Sequence, residues 1–153
     1  MSSKRAEQAG TLFFQGANCA QAVAGAFADV VGMKEEDIFK LASGFGGGVG
    51  RLREVCGAVS GMVLIMNMLY GNADISDKDA KDAHYDRIQK LVKRFEAATG
   101  SIICRTLLDL NLNAATSPVS EARTPEYYKS RPCAALVEIA ASILDEELSK
   151  NNP

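Results

Sequence analysis

The sequence has no tryptophan, one histidine, six phenylalanines and four tyrosines. Its core must therefore be built mainly from Ala, Val, Leu, Ile and Met. Charge of one sign is nowhere concentrated: 17 Lys and Arg stand against 19 Asp and Glu, a formal net charge of −2. Recognition of nucleic acid or of an anionic membrane surface needs a basic block, and none is present. A long apolar run is missing too. The longest, Val55 to Leu69, carries Ser60 and Asn67 and falls short of the roughly 20 residues that span a bilayer. Lys4 and Arg5 are followed by Glu7, Gln8 and Gly10, so the apolar stretch of a secretory signal is absent there. A cytoplasmic protein without membrane insertion is expected. No segment alternates apolar and polar residues with period two, which excludes a sheet from the expected fold.

What is present is helical periodicity. At 153 residues the chain is expected to form one domain, 1–153, with a core that needs no staples. Ser3 to Gln15 places Ala6, Ala9, Leu12 and Phe13 at helical spacing. Asn18 then reads as the cap of a helix from Cys19 to Val31, stopped by Gly32. Lys34 to Ala42 is a short helix with an acidic first turn. Five glycines within Gly44 to Gly50 mark a loop. Glu54 to Leu69 is apolar on almost every side and is expected at the centre. Asp77 to Ala98 is amphipathic, with Tyr85, Ile88, Leu91, Val92 and Phe95 on one face. Ser101 is expected to cap a short helix through Cys104 to Leu108. Asn111 to Pro125 reads as irregular, with one helical turn at Val119 to Arg123. A last helix is expected from Pro132, a favoured first-turn residue. The fold class is all-α, a single-domain bundle of about five to seven helices around the apolar helix 54–69.

Four cysteines are too few for a disulfide scaffold, and a reducing compartment disfavours permanent bridges. Cys19, Cys56, Cys104 and Cys133 each fall near the start of an expected helix. Unpaired N–H groups and the positive end of the helix dipole stabilise a thiolate there. Arg105 beside Cys104 and Arg131 near Cys133 act in the same direction. The thiolate is the species that exchanges disulfides and binds metals. The bland alternative is that each cysteine is a small core hydrophobe. No C-x-x-C is present, so the sulfurs would have to converge from four distant segments.

Gly16-Ala17-Asn18-Cys19-Ala20-Gln21-Ala22-Val23 resembles the first cysteine motif of a known family. Ser43-Gly44-Phe45-Gly46-Gly47-Gly48, followed by Val55-Cys56-Gly57-Ala58-Val59-Ser60-Gly61, is similar to its Cys-Gly-Ala-x-x-Gly signature. Gly100-Ser101 with Cys104-Arg105, and Pro132-Cys133, match its third and fourth cysteines. The resemblance, from about Ala6 to Leu144, is to the C_GCAxxG_C_C family of prokaryotic proteins, called redox-active on account of the four cysteines. It implies a redox or metal site at Cys19, Cys56, Cys104 and Cys133. It names no reaction for the family as a whole.

Three readings follow. In the first, the four cysteines are catalytic and cycle between dithiol and disulfide with no cofactor, or they ligate an iron–sulfur cluster or another thiophilic metal, in either case exchanging electrons with a redox partner protein. Gly46, Gly47, Gly48 and Gly57 would line that site, with loop N–H groups facing an anion. In the second, a structural zinc site made by all four cysteines holds helices together. In the third, the chain is a non-catalytic helical interaction protein, a homo-oligomer included, with the cysteines as core residues. Whether it is an enzyme stays open. The glycine loop lacks the G-x-G-x-x-G and Gly-Lys-Ser/Thr patterns of nucleotide sites. His84 reads as a surface residue, Arg51 and Arg53 as added positive charge or solvated groups, and Met62, Met66 and Met68 as core.

Overall fold

The computed structural model describes residues 3–109 and 116–150. Among these it contains eight α-helices and no strand. They are α1 (Lys4–Phe14), α2 (Cys19–Gly25), α3 (Glu35–Ala42), α4 (Gly57–Tyr70), α5 (Lys78–Thr99), α6 (Cys104–Leu107), α7 (Pro125–Ser130) and α8 (Cys133–Lys150). A single turn of 3₁₀-helix, Ser43–Phe45, follows α3.

Caps set most of the boundaries. Ser3 Oγ accepts from the Ala6 N–H at 3.1 Å and starts α1. Asn18 and Gln21 form a reciprocal capping box. Asn18 Oδ1 accepts from the Gln21 N–H at 2.8 Å, and Gln21 Oε1 accepts from the Asn18 N–H at 3.0 Å. Asp77 accepts from the Ala80 N–H and starts α5, which ends at Gly100 with φ 96°. Thr124 caps α7, with Pro125 at its first position.

The most enclosed helix is α2, not α4. In α2 only Cys19 and Gln21 keep partial exposure; Ala20, Ala22, Val23, Ala24 and Gly25 are buried. Its residues are small, so neighbours approach its backbone closely. A Cβ on Gly61 of α4 would stand 2.9 Å from the Ala20 carbonyl oxygen, and one on Gly57 3.1 Å from the Ala20 nitrogen. Gly57 and Gly61, four residues apart, thus form the face on which α4 crosses α2. On the other side α1 and α8 pack together over the same core.

The structure corrects several expectations. The helix expected to Val31 ends at Gly25. Beyond it the chain tightens into i→i+3 turns, such as the Ala28 N–H donating to the Gly25 carbonyl. The apolar helix begins at Gly57, not at residue 54, because Glu54 to Cys56 run extended beside Ile102 to Cys104. It is also not buried all round: Met68 is exposed, and Val63 and Leu64 are half-buried. Tyr85 lies on the solvent side of α5. His84 is buried instead. Its Nε2 lies 2.7 Å from Asn67 Oδ1 on α4, and Arg87 Nη1 lies 2.9 Å from its Nδ1. Residues 116–124 are irregular as expected, but the turn at Val119 to Arg123 does not form. The helix instead begins at Pro125, capped by Thr124. The Asn111 to Ala115 part of that expectation lies outside the described residues. No described helix is long and apolar enough to cross a membrane.

A cavity lined by four thiols

Helix starts do carry the cysteines. Cys19, Cys104 and Cys133 are the first residues of α2, α6 and α8, and Cys56 is the N-cap of α4. Each is placed by a local cause. The Asn18 capping box fixes Cys19. A short antiparallel pairing fixes Cys56 and Cys104 together. Val55 bridges Ile103, the Cys56 N–H donates to the Ile102 carbonyl at 2.7 Å, and the Cys104 N–H donates to the Glu54 carbonyl at 2.6 Å. Cys104 is therefore capped by backbone carbonyls of the neighbouring segment, and Ser101 accepts from the Ile103 N–H instead of capping α6. Pro132 precedes the last helix rather than opening it. Its carbonyl accepts from the Leu136 N–H at 3.0 Å, leaving Cys133 as the first residue.

All four cysteines are free thiols and line one cavity of about 60 Å³. Cys56, Cys104 and Cys133 are buried and Cys19 is half-buried. The four are not equivalent. Cys19 and Cys133 are neighbours in this cavity and their ionisations are linked. Stabilisation of one anion by the other thiol, aided by Arg131, Arg123 and Arg53, outweighs burial and lowers Cys133 to about 7. Cys19 moves the other way, well above the usual thiol range, because ionising it would remove the donated proton and place two anions side by side in a buried site. Burial raises Cys56 to about 11, although the Ala58 and Val59 N–H groups favour its anion. Burial also raises Cys104, against the opposing effect of Arg53, whose Nη1 lies 3.8 Å from Cys104 Sγ.

The glycine loop holds this wall in a left-handed coil. Gly47, Gly48, Val49, Gly50 and Arg51 all have φ between 56° and 70°. A Cβ on Gly48 would stand 2.7 Å from Cys104 Cβ, and one on Gly46 2.6 Å from the Asn18 side chain. Gly47, Gly48 and Gly57 line the cavity and Gly46 the pocket next to it. Within the loop, the N–H groups of Val49 through Glu54 donate to carbonyls of residues 44–49 and so do not face an anion. Positive charge at the cavity comes from side chains. Arg53 is 6% exposed, and its Nε has no partner among the described residues. Arg105, expected to act on Cys104, donates to the Leu52 carbonyl.

Arg123 and Tyr127 were not singled out by sequence reasoning, yet both line the cavity. Arg123 donates to the Phe13 and Ala17 carbonyls at 2.9 and 3.0 Å and lies over the Phe13, Tyr127 and Tyr128 rings. A Pro-flanked Tyr-Tyr pair four residues after an arginine is the only local hint of this stack. His84 does not line the cavity. Among the described residues no group of three or more His, Cys, Asp or Glu side chains is arranged to hold a metal ion. As placed, the donor set does not fit a four-cysteine metal centre.

An all-α domain that gathers four free thiols at helix starts around one electropositive cavity is the class that fold and site define. The match to a family model is direct. Residues 17–147 match the family described as "Putative redox-active protein (C_GCAxxG_C_C)", and the chain belongs to that family. No curated protein and no solved structure matches it.

Proposed function

We propose that the protein is a thiol–disulfide redox protein in which Cys133 is the attacking thiolate and Cys19 the resolving thiol. The carrying observation is the adjacency of these two thiols with opposite displacements of their acidity. A nucleophile near neutrality combines a useful thiolate fraction with good intrinsic reactivity. The Cys133 thiolate attacks a disulfide of the electron acceptor, forming a mixed disulfide and expelling one thiolate. That thiolate takes the Cys19 proton. Cys19 then attacks the Cys133 sulfur, closes the Cys19–Cys133 bond and expels the second thiolate. Two electrons pass to the acceptor and the dithiol becomes a disulfide. Cys56 and Cys104 form the opposite wall, and burial keeps them protonated.

The test is alkylation followed by peptide mass mapping. Cys133 is expected to react first with iodoacetamide, with a midpoint near pH 7, while Cys56 stays unlabelled there. Mild oxidation by a small disulfide is expected to remove two hydrogens and yield a linked Cys19–Cys133 peptide. If Cys133 labels no faster than Cys56, or if oxidation links other residues, the assignment is wrong.

A further inference from the structure

The cysteine cavity adjoins a larger pocket of about 400 Å³. The two share part of their walls: Asn18, Gly47, Arg53, Arg123, Tyr127 and Arg131 line both. The pocket carries four guanidinium groups, those of Arg51, Arg53, Arg123 and Arg131, against one carboxylate, Glu121. Glu121 is already engaged by Arg131 at 2.6 Å and Arg51 at 3.7 Å. Arg123 is spent on backbone carbonyls and ring faces, which satisfies its donors and leaves its charge uncompensated. Arg53 is the most telling group. It is 6% exposed, its Nε has no hydrogen-bond partner, and it takes part in no ion pair among the described residues. The Cys133 thiolate, which Arg53 helps to stabilise, supplies one counter-charge. Burying a guanidinium is costly, and four of them against one thiolate and one carboxylate leave a site built to receive further negative charge.

Size narrows the ligand further. The reactive sulfurs sit in a space of about 60 Å³ behind this pocket, and Cys133 is only 8% exposed. This narrow access favours a small disulfide seated in the outer pocket over the disulfide of a folded protein.

We infer that the arginine pocket binds the electron acceptor of the Cys19–Cys133 pair, and that this acceptor is a small disulfide carrying carboxylates. This rests on the dithiol reading above and names its substrate class. The carboxylates pair with the guanidinium groups and do not react. One substrate sulfur enters the cysteine cavity and is attacked by Cys133. The sulfur–sulfur bond of the substrate breaks, its first thiolate takes the Cys19 proton, and attack by Cys19 expels the second. One disulfide is consumed, two substrate thiols are released, and the protein keeps the new disulfide.

Three disulfides of different charge test this: oxidised glutathione (anionic), 2-hydroxyethyl disulfide (neutral) and cystamine (cationic). The rate at which each oxidises the full-length reduced protein is divided by its rate with dithiothreitol, which removes intrinsic reactivity. The anionic probe is expected to exceed the cationic one by at least about tenfold, with the neutral probe between, and added salt should narrow the gap. Arg51→Gln and Arg131→Gln should each compress that ratio by about threefold or more, because they weaken attraction for the anionic probe and repulsion of the cationic one, whereas any change in Cys133 acidity is common to all three probes. Glu121→Gln, a change at a half-exposed position, should widen it and provides a test even if an arginine variant does not fold. Equal normalised rates for the three probes, with the Cys19–Cys133 disulfide still forming, would overturn the anionic-substrate inference and leave the dithiol reading intact. Failure of all three to form that disulfide would instead sink the dithiol reading, and this inference with it.

Discussion

In the proposed pair, one proton held between two neighbouring thiols sets which sulfur reacts. With the proton on Cys19, Cys133 is lowered to about 7 and Cys19 is raised. The donor matters more than the element that supplies it. Cys19→Ser keeps an O–H donor and should leave the Cys133 alkylation midpoint near 7. Cys19→Ala removes the donor and should raise the midpoint by about one unit, as should Arg131→Gln, which removes the largest cationic influence. A midpoint unmoved by both Cys19→Ala and Arg131→Gln would contradict this account. His84 shows the opposite logic. Burial and the Arg87 charge lower its pKa below 6.5, and the Arg87 N–H donates to Nδ1, which a protonated ring cannot accept. The folded state therefore holds it neutral. Its contribution to stability is present above the unfolded value of about 6.5 and is lost as pH falls through the lower folded value. Melting curves between neutral pH and pH 5 should fall less steeply in His84→Gln than in the parent. The four cysteines were legible in the sequence as candidates because Asn, Pro and glycine residues mark helix starts beside them. His84 was misread because its neighbours Lys81, Asp82 and Asp86 are polar, while the residue that covers it, Asn67, comes from another helix.

At the level of elements, the crossing of α2 and α4 sets the site. Cys19 begins one helix and Cys56 precedes the other, and the glycines that let the two backbones meet are those of the Cys-Gly-Ala-x-x-Gly signature. Gly61→Val should destabilise the domain by about 1–3 kcal/mol, because its Cβ would meet the Ala20 carbonyl and Val23 and the helices would have to separate. Denaturant titration of parent and variant measures this. The left-handed coil gives the reverse prediction. Val49 adopts φ 66°, a conformation unfavourable by roughly 1–2 kcal/mol for a β-branched residue. Val49→Gly relieves that strain at the cost of a more flexible unfolded chain. A net gain of up to about 1 kcal/mol is expected. The glycine-rich composition announced a loop with close approaches, and the structure has one. That the N–H groups of residues 49–54 turn inward was not legible, since it follows from Val49, Arg51 and Arg53 in the left-handed region. Likewise, the Val55–Ile103 pairing joins segments with no shared pattern, so the extended stretch before α4 read as helix.

Over the whole molecule, the proposed chemistry and the fold are linked through one bond. Cys19 lies near the chain's beginning and Cys133 begins its last helix, so a disulfide between them closes a loop on the order of 100 residues, which in the chain-entropy account stabilises the folded state by up to roughly 4–5 kcal/mol. By linkage, folding favours the disulfide over the dithiol by the same amount. The depressed acidity of Cys133 acts against this by favouring the reduced form. With the thiolate half populated near pH 7, that opposing effect is only about RT ln 2, roughly 0.4 kcal/mol. The entropic effect is the larger by a wide margin, and the two helix starts are held by the α1–α8 and α2–α8 packing. The oxidised protein should therefore melt higher than the reduced one, by about 8–16 °C at the 2–4 °C per kcal/mol typical of chains near this size. The comparison is best made in a Cys56→Ser, Cys104→Ser background, by calorimetry of the oxidised and reduced forms at neutral pH. An equal or lower melting temperature on oxidation would mean that closing the bond strains α2 against α8 enough to cancel the loop entropy. The pair would then be an easily reduced, oxidising couple; the higher melting temperature expected here makes it a reducing one, suited to donating electrons to the acceptor in the arginine pocket.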